Sequence, residues 1–458
     1  MLSVMLSASH LSSSLPVRML GLVLLARSAF APRAQADDWP QWRGPQRDGV
    51  WRETGIVEKL PAQLPIVWRR EIGGGYAGPA VAQGRVFVPD RLLGQGVKNP
   101  DDPFQREQIQ GGERLFCLDA KTGRELWKHE YPCQYEVMYP SGPRVTPTVD
   151  GGKVYHLGAM GDFFCLTADG GKVLWSKQLL KNYGGKINAW GFSSAPLIDG
   201  KKVILVAGGR PGAGVIALDK DTGADVWKAL DLEDFGYAPP VLIEAGGRRQ
   251  LIAWTPKAVS SLDPETGAVL WEQPFALESA LSIATPIYDA KKRWLFVTAF
   301  YNGPLLLELA ADAPAARVVW KGKSQSERET DGLHAILCTP VFHDGHIYGV
   351  CSYGQLRCLE QATGKRVWET LEATGSGRWW NAFIIQHGER FLVANEQGDL
   401  IFAQLEPSGY RELSRTHLID GVQPIQRRKV VWSHPAFAGR CVFARNDQEI
   451  LCADLAAK

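Results

Sequence analysis

The sequence predicts an all-β chain wound into an eight-bladed β-propeller, each blade a four-stranded antiparallel sheet. Three observations predict it: a turn phrase that recurs with a Trp behind it, a Pro-led phrase that recurs between its copies, and two incomplete ends that complement each other. The 458 residues are 45% hydrophobic and 22% charged, enough apolar surface for a large core. The 48 Gly and 28 Pro are scattered along the chain, which favours many turns over long helices. Length alone suggests two or three domains, but a repeat holds such a chain in one body.

The turn phrase is clearest at Leu118-Asp119-Ala120-Lys121-Thr122-Gly123, followed by Trp127. It returns at Leu218–Gly223 with Trp227, Leu262–Gly267 with Trp271 and Leu359–Gly364 with Trp368. Degenerate copies precede Trp175 and Trp320, the latter rebuilt around Asp312 and Pro314. Successive Trp residues from 127 to 368 lie 44 to 52 residues apart, the period of a four-stranded blade. Asp bonds its own turn backbone and Gly accepts the positive φ that such a reversal requires. The following strand is expected to end in Trp, a flat ring suited to filling the gap between neighbouring sheets. These Trp residues are assigned to the scaffold and given no catalysis.

The second phrase opens each blade: a Pro, an apolar pair, a short turn and another apolar strand. It begins at Pro79, Pro147, Pro196, Pro240, Pro286, Pro340 and Pro435. The blade near Phe383 lacks the Pro, and its last strand is expected to end at Leu413 where others carry Trp. That makes eight openings. The final repeat stops at Leu451–Leu455, before its Trp-bearing strand, while an unpaired strand, Ile66-Val67-Trp68-Arg69-Arg70, precedes the first opening. Pairing the two closes the ring and removes exposed sheet edges at the join.

Residues 1–36 read as a signal peptide. They hold Arg18, Arg27 and Arg33, no acidic residue, a short apolar stretch from Met19 to Ala26, and a small-x-small site at Ala34-Gln35-Ala36. No Cys precedes Cys117, so no lipobox is expected. Residues 37–65 form a Trp-rich segment expected to pack on the propeller, which occupies 66–458. Removing the three arginines leaves 48 of the 51 basic residues against 49 acidic ones, a net charge of −1. Near-neutrality argues against nucleic acid as the main partner. No transmembrane helix is expected, and the chain is expected to be a monomer. Eight Cys in an exported chain invite a disulfide framework. Cys117, Cys165, Cys358 and Cys452, however, recur at similar blade positions, as small buried apolar groups do. No Cys pair is vicinal and no C-x-x-C occurs; one or two bridges stay open.

The repeated Asp-x-x-Thr-Gly-x-x-x-Trp phrase resembles the tryptophan-docking repeat of PQQ-like propellers, which include quinoprotein dehydrogenases and BamB-type assembly factors. The resemblance covers residues 66–455. The leading segment Asp38-Trp39-Pro40-Gln41-Trp42-Arg43-Gly44-Pro45 is similar to the opening of exported PQQ-like propellers of planctomycete type. Such a family implies an envelope or periplasmic location.

The loops indicate which face works. With the four strands of each blade lettered A to D in chain order from the opening phrase, the A–B turns are minimal, as at Asp199-Gly200 and Asp344-Gly345, whereas the D–A loops 128–144, 176–193, 321–337 and 414–432 are long. The largest insertion, about 90–112, lies on the B–C side of the same face, and long loops on a rigid scaffold are where binding resides. Three residues before each opening Pro the chain enters the inner strand, which places Tyr76, Arg144, Ser193, Tyr237, Ile283, Leu337 and Trp432 at the channel mouth. Trp380 is the expected equivalent in the Pro-less blade, and Trp190 and His334, six before their Pro, reach the same mouth. Tyr76, Arg144, Trp190, Tyr237, His334, Trp380 and Trp432 are therefore the candidate ligand- or partner-binding residues, by stacking or apolar anchoring. The alternative is that the aromatics only plug the funnel.

No catalytic or metal-binding residue is assigned. A calcium-bound quinone needs carboxylate and amide oxygens and an Asp base. Asn188, Asp234, Asp331 and Asn381 lie in mouth loops, but no spacing assembles them. His343-Asp344-Gly345-His346 sits on a minimal turn of the opposite face. Three functions follow: a non-catalytic envelope scaffold that contacts an envelope protein or small ligand through the D–A/B–C loop face, a PQQ- and calcium-dependent dehydrogenase, or a carbohydrate- or small-ligand-binding propeller. The missing catalytic signatures favour the first, and no cofactor is predicted.

Overall fold

The computed structural model describes residues 37–458. The expected signal peptide, 1–36, lies outside the described residues. Eight four-stranded antiparallel sheets make up the body. Among the described residues helix is limited to Leu179–Tyr183 and one 3-10 turn at Glu278–Ala280, and none is long and apolar enough to cross a membrane. Each inner strand begins at the residue after an opening Pro, as in Ala80–Ala82, Thr148–Asp150 and Leu197–Asp199. Pro fixes φ and lacks an N–H, so it fits just ahead of a strand but not within a ladder.

The ring closes through its ends. Ile66–Glu71 pairs antiparallel with Glu449–Asp454, placing Trp68 opposite Cys452 and Arg70 opposite Ile450. The eighth blade thus takes three strands from the C-terminal end and its outermost strand from before the first blade.

The position of the Trp differs from the expectation. Trp127 is the third residue of Glu125–Pro132, not the last, and Trp175, Trp227, Trp271 and Trp368 are likewise third in their strands. The strand runs on because its pairing continues past the ring, as at Phe116 with Lys128, and a β-bulge stands directly before each ring. Cys117 faces Trp127 while Leu118 faces Glu125, so Leu126 is the extra residue. The same shift recurs at each of the other outer strands, beside Trp68, Trp175, Trp227, Trp271, Trp320, Trp368 and Ser414. A bulge bends its strand and re-aims the next side chain, here toward the neighbouring blade. In the blade near Phe383, Leu413 is the bulged residue and Ser414 holds the ring's slot, a second correction.

Each docked ring donates from Nε1 to a carbonyl in the next blade's turn: Trp68 to Ala120 (2.9 Å), Trp127 to Ala168 (3.1 Å), Trp175 to Lys220 (3.2 Å), Trp227 to Pro264 (3.1 Å), Trp320 to Gln361 (2.9 Å) and Trp368 to Glu406 (2.8 Å). Trp271 instead donates to Gln250 Oε1 of its own blade (2.7 Å), because the next turn is the one rebuilt around Pro314. The turn glycine therefore has two reasons to be glycine. Gly223 has φ of +72°, and a Cβ there would lie 2.8 Å from the Trp175 ring.

All eight cysteines are free thiols, seven of them buried, so none of the bridges left open above is present. Cys117, Cys165, Cys358 and Cys452 each stand directly across the sheet from a docking Trp.

Residues 37–65 cross the face of minimal A–B turns and touch most of the ring. Trp39 bridges to Val81, Val149 N–H donates to Pro40 O (2.8 Å), Arg47 Nη1 donates to Pro196 O (2.9 Å), and Trp42 Nε1 donates to Thr285 Oγ1 (2.8 Å). The segment then runs past the seventh and eighth blades: Trp51 N–H donates to Gln386 O, Leu60 N–H to Ser414 Oγ (2.9 Å), and Val57 N–H to Leu455 O. Trp39, Trp51, Ile56, Leu60 and Leu64 join one buried cluster with Leu400, Phe402 and Phe437. The blade whose outer strand has Ser414 where others have Trp is thus packed by the strap.

Candidate functional site

A cavity of about 440 Å³ occupies the axis on the side of the long loops. Its walls are the residues three before each opening Pro. Tyr76, Arg144, Ser193, Tyr237, Ile283, Leu337 and Trp432 all line it, because each sits where a D–A loop turns down into an inner strand. Trp190 lines it too, edge-on to Tyr237 with centroids 5.9 Å apart.

Two of the seven candidates are not in the wall. His334 is wholly buried behind it; its Nδ1 lies 3.1 Å from Phe300 O, its Nε2 3.3 Å from Asp331 Oδ1, and burial lowers its pKa. Gly303 leaves room for the imidazole, since a Cβ there would lie 2.8 Å from Nε2. Trp380 packs over Gly375 and beneath the Arg428 guanidinium, 4.9 Å away. The reason is register. The inner strand of the Pro-less blade, Ala382–His387, starts earlier than the others; counted from its turn, where His387 pairs with Arg390 as Ala82 pairs with Arg85, its Pro slot is Ile384, and three residues earlier stands Asn381, outside the wall. Arg378 does line the cavity, beside Trp379.

Loops bring further residues that the repeat phase does not mark. Phe104 comes from the 94–110 insertion, positioned where Tyr139 N–H donates to Pro103 O (2.7 Å). Its ring meets Tyr139 at 5.2 Å and Trp379 at 5.6 Å, and Tyr139 reaches Trp432 at 5.9 Å. The strap supplies the floor: Trp42 stands edge-on to His434 at 4.5 Å, and His434 Nε2 lies 2.6 Å from Thr146 Oγ1. Aromatic pairs of this geometry add modestly to the energy of their buried area.

The charges are few. Arg144 donates to the carbonyls of Met138 (2.8 Å), Tyr139 (2.6 Å) and Gly142 (2.9 Å), and its guanidinium lies 5.3 Å over the Tyr76 ring. Arg378 pairs with Glu327 at 2.6 Å and also donates to Tyr301 Oη (3.1 Å). Burial pushes the Tyr76 and Tyr237 hydroxyls up to about 12, so both stay neutral donors.

The wall contains no Asp, Glu, Asn or Gln. Asn188, Asp234, Asp331 and Asn381 do not converge on it: Asp331 caps the backbone N–H of Lys323, and the Asn381 backbone is held by Glu396. Calcium in proteins takes six to eight oxygen ligands, and this donor set does not provide them. The residues present therefore do not fit a calcium-bound quinone. Among the described residues no group of three His, Cys, Asp or Glu is placed to hold a metal. His343 and His346 flank a minimal turn, away from the cavity.

Comparison with known proteins agrees with the architecture. The family model described as outer membrane protein assembly factor BamB matches residues 111–303 and 259–458. The quinoprotein ethanol dehydrogenase of Pseudomonas aeruginosa is 33% identical over 125 residues, 25% of this chain and 19% of that protein. BamB of Burkholderia pseudomallei is 23% identical over 283 residues, 60% of this chain and 62% of its own. The chain thus spans about a fifth of the dehydrogenase and about three fifths of that BamB. Among solved structures, BamB from Moraxella catarrhalis superposes with a TM-score of 0.51 at 16% identity, covering 80% of this chain and all of that one. A quinohemoprotein alcohol dehydrogenase from Pseudomonas putida HK5 gives 0.56 at 12% identity, covering 92% and 80%. At those identities the likeness is one of fold.

Proposed function

The chain belongs to the family of outer membrane protein assembly factor BamB, and from that premise we propose that it is a non-catalytic binding propeller of the cell envelope. It is exported by residues 1–36, and the mature chain works as a monomer through the D–A/B–C loop face. The observation that carries this reading is the axial cavity: ten aromatic side chains and two arginines, walled by the long loops, with no carboxylate to serve as base or metal ligand. Rigid aromatic anchors on loops over a stiff ring suit the capture of a partner group or a small ligand. Tyr76, Arg144, Trp190, Tyr237 and Trp432 supply contacts directly, and His334 and Trp380 support the wall from behind.

A PQQ-dependent dehydrogenase is the second reading, favoured by the 33% identity over one stretch of a quinoprotein and opposed by the donor set. A carbohydrate- or small-ligand-binding propeller is the third, and it shares the cavity with the first. Site-specific photo-crosslinking in intact cells separates the two faces. A photoreactive residue at Phe104 or Arg328 is expected to give discrete adducts, and one at Gly200 or Gly388, on the minimal-turn side, none. Adducts from the minimal-turn positions alone would overturn the assignment.

A further inference from the structure

We infer that the axial cavity is a binding site for a hydrophobic organic anion, an apolar body bearing one carboxylate or sulfonate that Arg144 neutralises. The inference rests on the binding-propeller reading above and names the ligand class.

Size and lining come first. About 440 Å³ falls within the range of small-molecule pockets, roughly 300–1,000 Å³. Walls of Trp, Tyr, Phe, Leu and Ile replace water around an apolar body but not the hydration shell of an inorganic ion. Phosphate or sulfate alone is therefore disfavoured.

The charge comes from the wall itself. Arg378 is already compensated by Glu327. Arg144 has only carbonyl oxygens and the Tyr76 face as partners, and no ion pair among the described residues. A largely enclosed guanidinium without a counter-charge is costly, and a bound anion removes that cost. The carboxylates behind the wall are each occupied: Glu396 by Arg428 (2.5 Å), and Asp447 by the Gly75 N–H (3.0 Å) with Arg445 nearby.

Two further observations point the same way. Tyr139 Oη and Trp379 Nε1 are buried at the wall with no hydrogen-bond partner. Behind the Trp42 floor, Arg43 and Arg47 of the strap are bonded only to carbonyl and amide oxygens: Arg43 to Arg47 O and Asp48 O, Arg47 to Gln41 Oε1, Pro196 O and Ala195 O. Burial lowers both to about 10, which leaves them cationic at neutral pH. The cavity thus has positive charge in its wall and behind its floor, and no acid facing into it.

The test uses the mature chain, residues 37–458, and a matched pair of dyes. One is 8-anilinonaphthalene-1-sulfonate; the other is uncharged N-phenyl-1-naphthylamine. Titration by energy transfer from Trp should give one sulfonate per chain, bound at least tenfold more tightly than the amine. Arg144→Met should erase that preference and Arg144→Lys should keep it. Leu281→Trp, which fills the cavity without touching Arg144, should abolish binding of both dyes even if Arg144→Met fails to fold. Equal affinity for the two dyes, or an unchanged preference in Arg144→Met, would overturn the inference and leave the binding-propeller reading standing. Dye binding unaffected by Leu281→Trp would equally overturn it, by locating the site elsewhere. The reverse failure has its own signature: calcium-dependent uptake of PQQ with alcohol oxidation would remove the parent reading.

Discussion

Trp68→Ala perturbs the strand that closes the ring, Ile66–Glu71, which runs on into the first blade but is held to the other three strands of its own blade without a chain connection. Trp68 is 8% exposed; its ring covers Gly123 of the first blade, its Nε1 donates to Ala120 O, and its strand pairs with Glu449–Asp454. Truncating a buried Trp costs about 3–5 kcal/mol, of which the lost hydrogen bond accounts for about 1 kcal/mol. An unfolding entropy of about 2.1 cal/mol/K per residue gives roughly 0.9 kcal/mol/K over residues 37–458, so the midpoint should fall by about 3–6 °C if unfolding is two-state. Trp127→Ala is the control. It removes the same contact, to Ala168 O and Gly171, from an outer strand that the chain connects to the rest of its own blade. Calorimetry with hydrogen exchange resolved along the chain is the assay. Trp68→Ala should lower the midpoint by at least as much as Trp127→Ala and should accelerate exchange across 66–71 and 449–454. A midpoint within 1 °C of the unaltered protein would refute the view that docked rings hold the blades together.

Other outcomes follow from the same contacts. Gly223→Ala should cost about 1–3 kcal/mol for its positive φ, plus the displacement of the Trp175 ring. Gly200→Ala, with φ of +57° and open space around the new methyl, should cost about 1 kcal/mol; equal losses in chemical denaturation would count against ring contact as the second reason for glycine. His434 is wholly buried and neutral, its pKa lowered to about 4 by desolvation. The unfolded chain takes up that proton below about 6.5, so stability is full above that pH and is lost as pH falls toward 4, by about 2 kcal/mol between pH 7 and pH 5. His434→Gln should flatten that part of the pH profile, and an unchanged slope would assign the loss to other groups. Removing residues 37–65 should destabilise the seventh and eighth blades most, visible as selective exchange at Ala382–His387 and Cys441–Arg445, since Trp39, Trp51, Leu60 and Leu64 leave their shared core.

The repeat made the blades legible because each opening carries a Pro and each turn an Asp or Gly whose backbone role is local. Closure was legible too: one strand too many at one end and one too few at the other admit a single pairing. The exact placement of the rings was not, because a bulge is a property of two paired strands. The single residues Leu126 and Leu413 do not announce it. At the site, repeat phase found the seven wall positions that precede a Pro and failed where the Pro was missing. There it chose Trp380, one residue short of Asn381, the position that the strand pairing makes equivalent, while Arg378 reaches the wall from the loop ahead of the strand. His334 was drawn in by counting six back, whereas the loop between Asp331 and Pro340 turns its ring behind the wall onto Phe300 O. Phe104, Tyr139 and Trp42 carried no phase at all. They reach the cavity through an insertion and a strap, whose paths are set by tertiary contacts.

The claim that this propeller binds without catalysing is tested most directly by incubating the mature chain with PQQ and calcium, dialysing to equilibrium, and recording quinone absorbance and dye-linked alcohol oxidation. With no carboxylate in the cavity wall, no calcium-dependent quinone retention and no turnover are expected. A stoichiometric complex that needs calcium and oxidises an alcohol would contradict it.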